Sequence, residues 1–426
     1  MPMMSEGEED HRIWVVTLWS MVGIQFMMSL ALTVIGPILP VFLPQIGVHE
    51  RSSVEFWAGI LNSCGFLIAA FVSPVWGRLG DRHGRKLMVL RSSCAICLFT
   101  ALMGLSQNVW ELLALRASMG AFSGFSSTAI ALVASRVPEQ RLGLALGWLS
   151  TAQLTGGLIG PVVGGVLADW TGSCRIAFYW TSILAGIALL IAWRIVPEGP
   201  LPGQRKDKMS ILGGFKMLAR SPGLMPLFLL LLLAQFAVRA VLPVITIFVQ
   251  SLVHSRTADV ATLAGLAFSV TALADLVASP FLGKRSDTIG YRKVLVICLL
   301  GAAVMTLPQI FVRSYWMFVL ERFGVGIFIG GILPTANALV GRLSPPKDRG
   351  LVYGMTASAT FLGGFLGPFT GGTVASLLGP RWVFVVTSAV LFANLIWVLL
   401  AVPGPSVAGL TQGNPETGSG AIDVSH

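Results

Sequence analysis

Apolar runs long enough to cross a bilayer recur along the whole chain, separated by short polar breaks. They fall at about 13–42, 54–76, 86–104, 110–134, 143–168 and 176–196. After one longer polar stretch they resume at about 224–250, 259–282, 291–312, 316–340, 350–378 and 382–402. A helix needs about 20 apolar residues to span the hydrocarbon core, so each run predicts one crossing. Twelve crossings make an all-α integral membrane protein with both termini on one side. The basic residues choose that side. The faces holding the termini and the loops from even to odd helices carry 21 of the 29 Lys and Arg residues, and the opposite face carries five. Positive loops stay in the cytoplasm, so both termini are expected there.

The same pattern predicts five segments: a cytoplasmic tail over 1–12, a six-helix bundle over 13–196, a cytoplasmic linker over 197–222, a second six-helix bundle over 223–403, and a tail over 404–426. The linker starts rich in Pro and Gly, carries Arg205-Lys206-Asp207-Lys208, and predicts a short surface helix at 209–220. The final tail is rich in Gly, Ser and Thr and reads as disordered.

The two bundles are copies of each other, offset by about 206 positions. Gly77-Arg-Leu-Gly-Asp81-Arg82-His83-Gly84-Arg85-Lys86 returns as Gly283-Lys-Arg-Ser-Asp287-Thr-Ile-Gly290-Tyr-Arg-Lys293. Arg116-x-x-x-Gly120-x-x-x-Gly124 returns as Arg322-x-x-x-Gly326-x-x-x-Gly330. Gly156-Gly-Leu-Ile-Gly160-Pro161-Val-Val-Gly164-Gly165 returns as Gly363-Gly-Phe-Leu-Gly367-Pro368-Phe-Thr-Gly371-Gly372. Six helices per copy keep the two repeats parallel. Parallel repeats about an axis normal to the membrane are a transporter architecture, with a central cavity and site near the midplane.

Composition agrees with a chain folded in lipid. Hydrophobic residues make up 54% and charged ones 11%, with a mean hydropathy of +0.79; soluble domains carry about 25% charged residues. The short loops exclude a large soluble domain. A net charge of +10 would suggest nucleic acid in a soluble protein. Here the basic residues mark loops, so no nucleic-acid partner is expected. Five cysteines make no disulfide framework, and the Cys94–Cys97 pair lies inside an apolar run rather than beside a βαβ unit. Five scattered histidines offer no metal cluster. The acidic start, Ser5 to Asp10, is unlike a signal peptide, so the first helix stays in the protein. No Walker-type loop is present, so ATP is not the driver and no cofactor is expected. A polytopic enzyme would need a convergent His, Ser or carboxylate cluster near one interface, and none is visible. A sensor would need an appended signalling domain, which the tails are too short to supply.

These motifs carry a resemblance. Gly77–Lys86 resembles the signature loop of the major facilitator superfamily. The Gly160-Pro161 block is similar to the antiporter motif of its drug:proton antiporters, and Leu112-x-x-x-Arg116-x-x-x-Gly120 to their fourth-helix motif, with Met119 replacing the usual Gln. Gly36-Pro37-Ile38-Leu39-Pro40 resembles their first-helix ending. The likeness covers about residues 13–402 and is nearest the twelve-helix multidrug exporters. It implies that Asp81 opposes the positive end of the eleventh helix, near Gly350, as part of an inside gate. It also implies that Arg116 takes part in proton transfer. His83 stands where the family has an aromatic residue.

The residues leave several roles open. Gly77, Gly80 and Gly84 permit a tight turn and close helix approach. Arg82, Arg85 and Lys86 either pair across the gate or only enforce topology. Gly156, Gly160, Gly164 and Gly165 form a small-residue face, and Pro161 permits a bend; the block is a seal between halves or ordinary packing. Charges within the membrane cost about 2.5–3.5 kcal/mol each at a helix centre and mostly face a cavity or a partner. They are Arg116, Arg239, Asp275, Glu321 and Arg322, with Glu111 nearer the outer edge. A proton-coupled carrier needs a carboxyl whose protonation changes with exposure, so Asp275 and Glu321 are the coupling candidates. The competing reading is a static pair with an arginine. Gln25, Asn62, Gln153, Gln235 and Asn337 line a cavity or bond helix to helix, and Met21, Met27 and Met28 face core or lipid.

Taken together, the expectation is a monomeric secondary exporter of the inner (plasma) membrane, exchanging a small organic compound for protons. The alternative is a dedicated exporter of an anionic metabolite, such as a carboxylate siderophore, with Arg239 reading the substrate.

Overall fold

The computed structural model describes residues 6–122, 124–138, 141–197, 224–253, 259–343 and 349–402. The expected linker with its helix at 209–220 and the tail over 404–426 lie outside the described residues. Fourteen α-helices follow in order: α1 (Glu6–Phe42), α2 (Arg51–His83), α3 (Arg85–Leu105), α4 (Val109–Ala121), α5 (Phe125–Ala134), α6 (Leu142–Thr171) and α7 (Cys174–Arg194). The second half has α8 (Leu224–Ala240), α9 (Leu242–Leu252), α10 (Val260–Ile289), α11 (Tyr291–Thr306), α12 (Tyr315–Leu343), α13 (Arg349–Leu378) and α14 (Pro380–Ala401).

Twelve stretches of these helices are long and apolar enough to cross a membrane. Two of them are broken. The fourth crossing divides into α4 and α5 at Gly124, whose φ of +108° is open to glycine but strained for other residues. The seventh divides into α8 and α9 just before Pro243, which has no N–H to continue the ladder. Helix α1 also starts earlier than the apolar pattern suggests, at Glu6, taking in the acidic stretch expected as tail. Acidic residues suit the positive end of a helix.

Packing repeats as the sequence does. In the first half α6 lies on α1, α4 on α2, and α7 on α3; in the second α13 lies on α8, α12 on α10, and α14 on α11. A Cβ added at Gly156 would sit 2.6 Å from the Phe26 carbonyl oxygen and 2.8 Å from the Leu30 nitrogen. A Cβ at Gly363 would meet the Leu232 carbonyl oxygen and, at 2.9 Å, the Phe236 nitrogen, which are the same contacts one repeat later. Gly120 on Gly65 is matched by Gly326 on Thr271. The apolar core of the first bundle includes Phe42 and Phe178 and takes in Ile247 and Ala261 from the second, whose own core includes Phe248, Phe318 and Phe384.

The halves meet along two seams, α2 with α13 and α6 with α10. These also exchange under the repeat: Gly59 packs on the Pro368 carbonyl and Gly372, while Gly265 packs on the Pro161 carbonyl and Val162. The contacts lie early in α2 and α10 and late in α6 and α13. That places them toward the membrane face distal from the chain ends. The hydrogen bond from Thr246 Oγ1 to the Pro37 carbonyl (3.1 Å) reinforces the same region.

Candidate functional site

Helix α2 is the spine of the site. Glu55, Gly59, Asn62 and Phe66 recur at three- and four-residue spacing and so share one face of it. Gly59 lets α13 approach to backbone contact at the distal end. One turn deeper, Asn62 Oδ1 accepts from Arg116 Nη2 of α4 at 3.4 Å. A further turn on, the Phe66 ring lies 4.4 Å beneath the Arg239 guanidinium of α8, with Gly364 of α13 packed at its side. Arg239 Nε donates to Gln235 Oε1 at 3.2 Å. The two arginines therefore reach one face of α2 from opposite halves.

Among the described residues, the other charges at membrane depth make no ion pair with them. Arg322 is buried and its Nε has no partner; the Oε2 of its neighbour Glu321 has none either. Asp275 of α10 lies over Gly330 of α12, where an added Cβ would fall 2.9 Å from its Oδ1. The ion pairs among the described residues are Arg51–Glu55 and Arg342–Asp287. The static carboxylate–arginine pair that the sequence left open is therefore not formed at Asp275 or Glu321. Glu111 is a cap: its N–H donates to Asn108 Oδ1 at 2.9 Å and its carboxylate accepts from the Gln107 N–H at 2.9 Å.

The polar residues of the first half form a cluster. Gln25 Nε2 donates to Ser126 Oγ (3.2 Å) and Gln153 Oε1 (3.3 Å), and Ser29 Oγ donates to the Gln153 carbonyl (2.6 Å). Gln25 Oε1 is buried without a partner.

The loop between α2 and α3 turns at Gly84, with φ +97°. Its basic side chains hold their own bundle: Arg85 donates to the Ala131 carbonyl, and Lys86 Nζ to the Trp193 carbonyl at 3.1 Å. Arg292 donates in the same way to the Leu399 carbonyl, one repeat on. Arg82 and His83 are exposed. Gly77 and Asp81 lie within α2, but their side chains fall outside the described set. Cys97 packs on Ser182, while Cys94 faces outward. Among the described residues, no three His, Cys, Asp or Glu side chains gather as a metal site would require.

The glycine block of α6 serves two contacts. Gly156, Gly160 and Gly164 pack on α1, while Pro161 and Gly165 meet α10 across the seam. Two residues that the sequence reading passed over also sit at the seams. Glu55 is 3% exposed and accepts from Arg51 Nε at 3.2 Å. Asp169 Oδ2 accepts from the Thr262 N–H at 2.7 Å, so α6 of one half caps α10 of the other. The i,i+4 Arg51–Glu55 spacing was the available signal for the first; nothing local signalled the second. Removing this cap, Asp169→Ala, should cost the distal-closed arrangement about 0.5–2 kcal/mol. A cysteine placed at Ala375, buried here beside the α2–α13 seam, should then label several-fold faster with a maleimide. An unchanged rate would deny the cap any part in closure.

Between the starts of α2 and α14 and the ends of α9 and α13 lies a distal groove of about 690 Å³, lined by Glu50, Arg51, Glu55, Ser251 and Arg381 among others. The hydroxyls of Ser52 and Ser53 donate to the Glu50 carboxylate and hold its pKa below the usual range.

A family model described as Major Facilitator Superfamily matches residues 21–263 and 227–420. The chain is 34% identical over 372 residues to multidrug resistance protein MdtG of Salmonella paratyphi B, covering 87% of this chain and 92% of that one. The MdtG of Salmonella typhimurium matches to the same extent. Among solved structures, a bacterial homologue of the human lysosomal transporter Spinster, in an inward-facing and unoccupied conformation, superposes with a TM-score of 0.73 at 16% identity, over 95% of this chain and 99% of that one. The human organic anion transporter MFSD10 superposes with a TM-score of 0.68 at 20% identity, over 91% and 99%. At such identities the superpositions speak for the fold alone.

Proposed function

The chain belongs to the major facilitator superfamily, and we propose that this multi-pass membrane transporter of small compounds is a proton-coupled exporter working by alternating access. The observation that carries the reading is the pair of matched seams. Each joins the halves through close backbone contact at the distal end, where Ile247 and Ala261 also join the first half's apolar core, while the rest of each core comes from its own half. Two rigid bundles joined in this way can rock as bodies, and a substrate between them then meets each face in turn. The distribution of Lys and Arg supports termini in the cytoplasm of the inner (plasma) membrane. The structure then corresponds to a carrier closed on the outside. A monomer suffices, because both halves of the site come from one chain.

Coupling falls to Asp275 and Glu321. Neither has a counter-ion among the described residues, so a change in solvent access alters the free energy of the charged form directly. Asp275 lies at the contact of α10 with α12, so coupling requires that solvent access to this contact differ between the two states. A proton taken from the acidic side in one state is released in the other, and the gradient drives export.

Inside-out vesicles with an acidic lumen and a pH-sensitive dye provide the test. The substrate should discharge the gradient only when the protein is present. Asp275→Asn should reduce that discharge at least tenfold while substrate binding persists, and Glu321→Gln should reduce it further. Full coupling in both variants would remove the assignment; a gradient untouched by cationic, neutral and anionic compounds alike would remove proton exchange itself.

A further inference from the structure

We propose that the substrate is an organic anion with a flat apolar body. Its charge is held between Arg116 and Arg239, and its body lies against Phe66. The inference rests on the transport reading above, and gives that site a substrate class.

A cation at the centre of a membrane helix is costly and normally has a partner or a cavity to face. Among the described residues, Arg116 and Arg239 have neutral partners only. Arg116 makes one long hydrogen bond to Asn62, and its Nε is buried with no acceptor. Arg239 makes one bond to Gln235 and stacks on Phe66. A guanidinium has five N–H donors, so most of the donor capacity of both is unused. Asn62 and Phe66 are one turn apart on α2, about 6 Å along the helix, so two like charges converge on a short stretch of it. The carboxylates at this depth lie on other helices: Asp275 on α10 against α12, and Glu321 on α12 itself.

A cationic substrate would add a third positive charge here. An anion satisfies the free donors and relieves the repulsion between the arginines. Carboxylate, sulfonate and phosphonate all match the planar fork of arginine. The aromatic surface is present as well, because Phe66 lies between α8 and α13 and offers its ring where the two arginines converge. Arg116 comes from the first half and Arg239 from the second, so one bound anion ties the halves together. Its binding free energy therefore differs between states in which the halves are differently disposed, as an alternating carrier requires.

The test uses the full chain in lipid nanodiscs and three probes with one ring system: 1-naphthoate, 1-naphthylmethylammonium and 1-naphthalenemethanol. Equilibrium dialysis without a gradient should show naphthoate binding at least tenfold more tightly than the ammonium probe. Arg239→Gln should cost naphthoate tenfold or more and leave the alcohol nearly unchanged, which also shows that the variant is folded. Arg239→Lys should keep part of the preference. Phe66→Leu should weaken all three probes together without altering their order. Equal or tighter binding of the ammonium probe, no naphthoate binding at millimolar concentration, or an Arg239→Gln variant with unchanged naphthoate affinity would each overturn the proposal. Because no gradient is present, failure of proton coupling leaves this result standing. Discharge of a gradient by the ammonium probe would instead keep the transport reading and reject the anion.

Discussion

Gly160→Leu is expected to prevent stable assembly of the first bundle, whereas Gly157→Leu, three residues earlier on the same helix, is expected to be tolerated. Both positions look alike in the sequence, two glycines in one small-residue block. A Cβ at Gly160 would lie 2.7 Å from the Leu30 carbonyl oxygen and 3.2 Å from Thr33 Cβ, besides striking the Thr33 hydroxyl; at Gly157 the nearest atom, Ser29 Oγ, is 3.8 Å away. Overpacking that side chains can absorb costs about 1–3 kcal/mol. Here the Thr33 hydroxyl could turn aside, but the Leu30 carbonyl belongs to the α1 backbone, which has no rotamer to change, so the α1–α6 contact must open. Yield of monodisperse protein in mild detergent and the thermal unfolding midpoint are the readouts. Gly160→Leu should lose most of the yield, and Gly367→Leu should do the same in the second bundle, where an added Cβ would sit 2.5 Å from the Phe236 carbonyl oxygen. If Gly160→Leu behaves like Gly157→Leu, the helices are not in backbone contact at this block.

The twelve crossings and the repeat were legible because both depend on signals that one helix carries by itself. Apolar length marks a crossing, and a glycine block keeps its spacing whatever packs upon it. What could not be read was which neighbour each side chain meets. Asp275, Glu321 and the arginines formed one set by depth alone. Depth does not give azimuth around a helix: Arg116 and Arg239 contact Asn62 and Phe66 of α2, whereas Asp275 lies over Gly330 of α12. For the basic loop residues the sequence left pairing across the gate and simple enforcement of topology both open; here Arg85 and Lys86 end on carbonyls of their own bundle. Asp169 was invisible for a related reason: its acceptor role depends on the start of a helix 93 positions away. Glu55 carried a local signal in its spacing to Arg51, but the apolar run around it masked that charge. The breaks at Gly124 and Pro243 divide crossings that hydropathy sees as continuous, because hydropathy does not register backbone conformation or a missing donor.

The seam glycines should behave differently from Gly160, because they join two bundles that are already folded. A Cβ at Gly165 would lie 2.6 Å from Thr262 Cα, and a Cβ at Gly372 would lie 2.6 Å from Gly59 Cα and 2.8 Å from the Glu55 carbonyl oxygen. Leucine at either site cannot fit while the distal ends of the halves touch, and the nearest atoms to its Cβ all belong to the opposite half. Gly165→Leu and Gly372→Leu should therefore keep yield and thermal midpoint near wild type while driving the distal seam open. Inverting a 99:1 preference takes about 5.5 kcal/mol, and a backbone overlap at one seam supplies a large part of that. The cysteine at Ala375 should label at least tenfold faster in each variant, and gradient-driven transport should fall by a similar factor, because a carrier held in one state cannot cycle. The repeat makes the comparison sharper. Position 165 meets Ala261, whereas position 372 meets Glu55, the counterpart of Ala261 in the first half. Opening at Gly372 also pulls apart the surroundings of Glu55, which is buried and paired with the exposed Arg51, so that variant alone should respond to Glu55→Gln. Normal transport with a closed seam in both leucine variants would mean that the halves separate elsewhere, and the rocking mechanism would have to be abandoned.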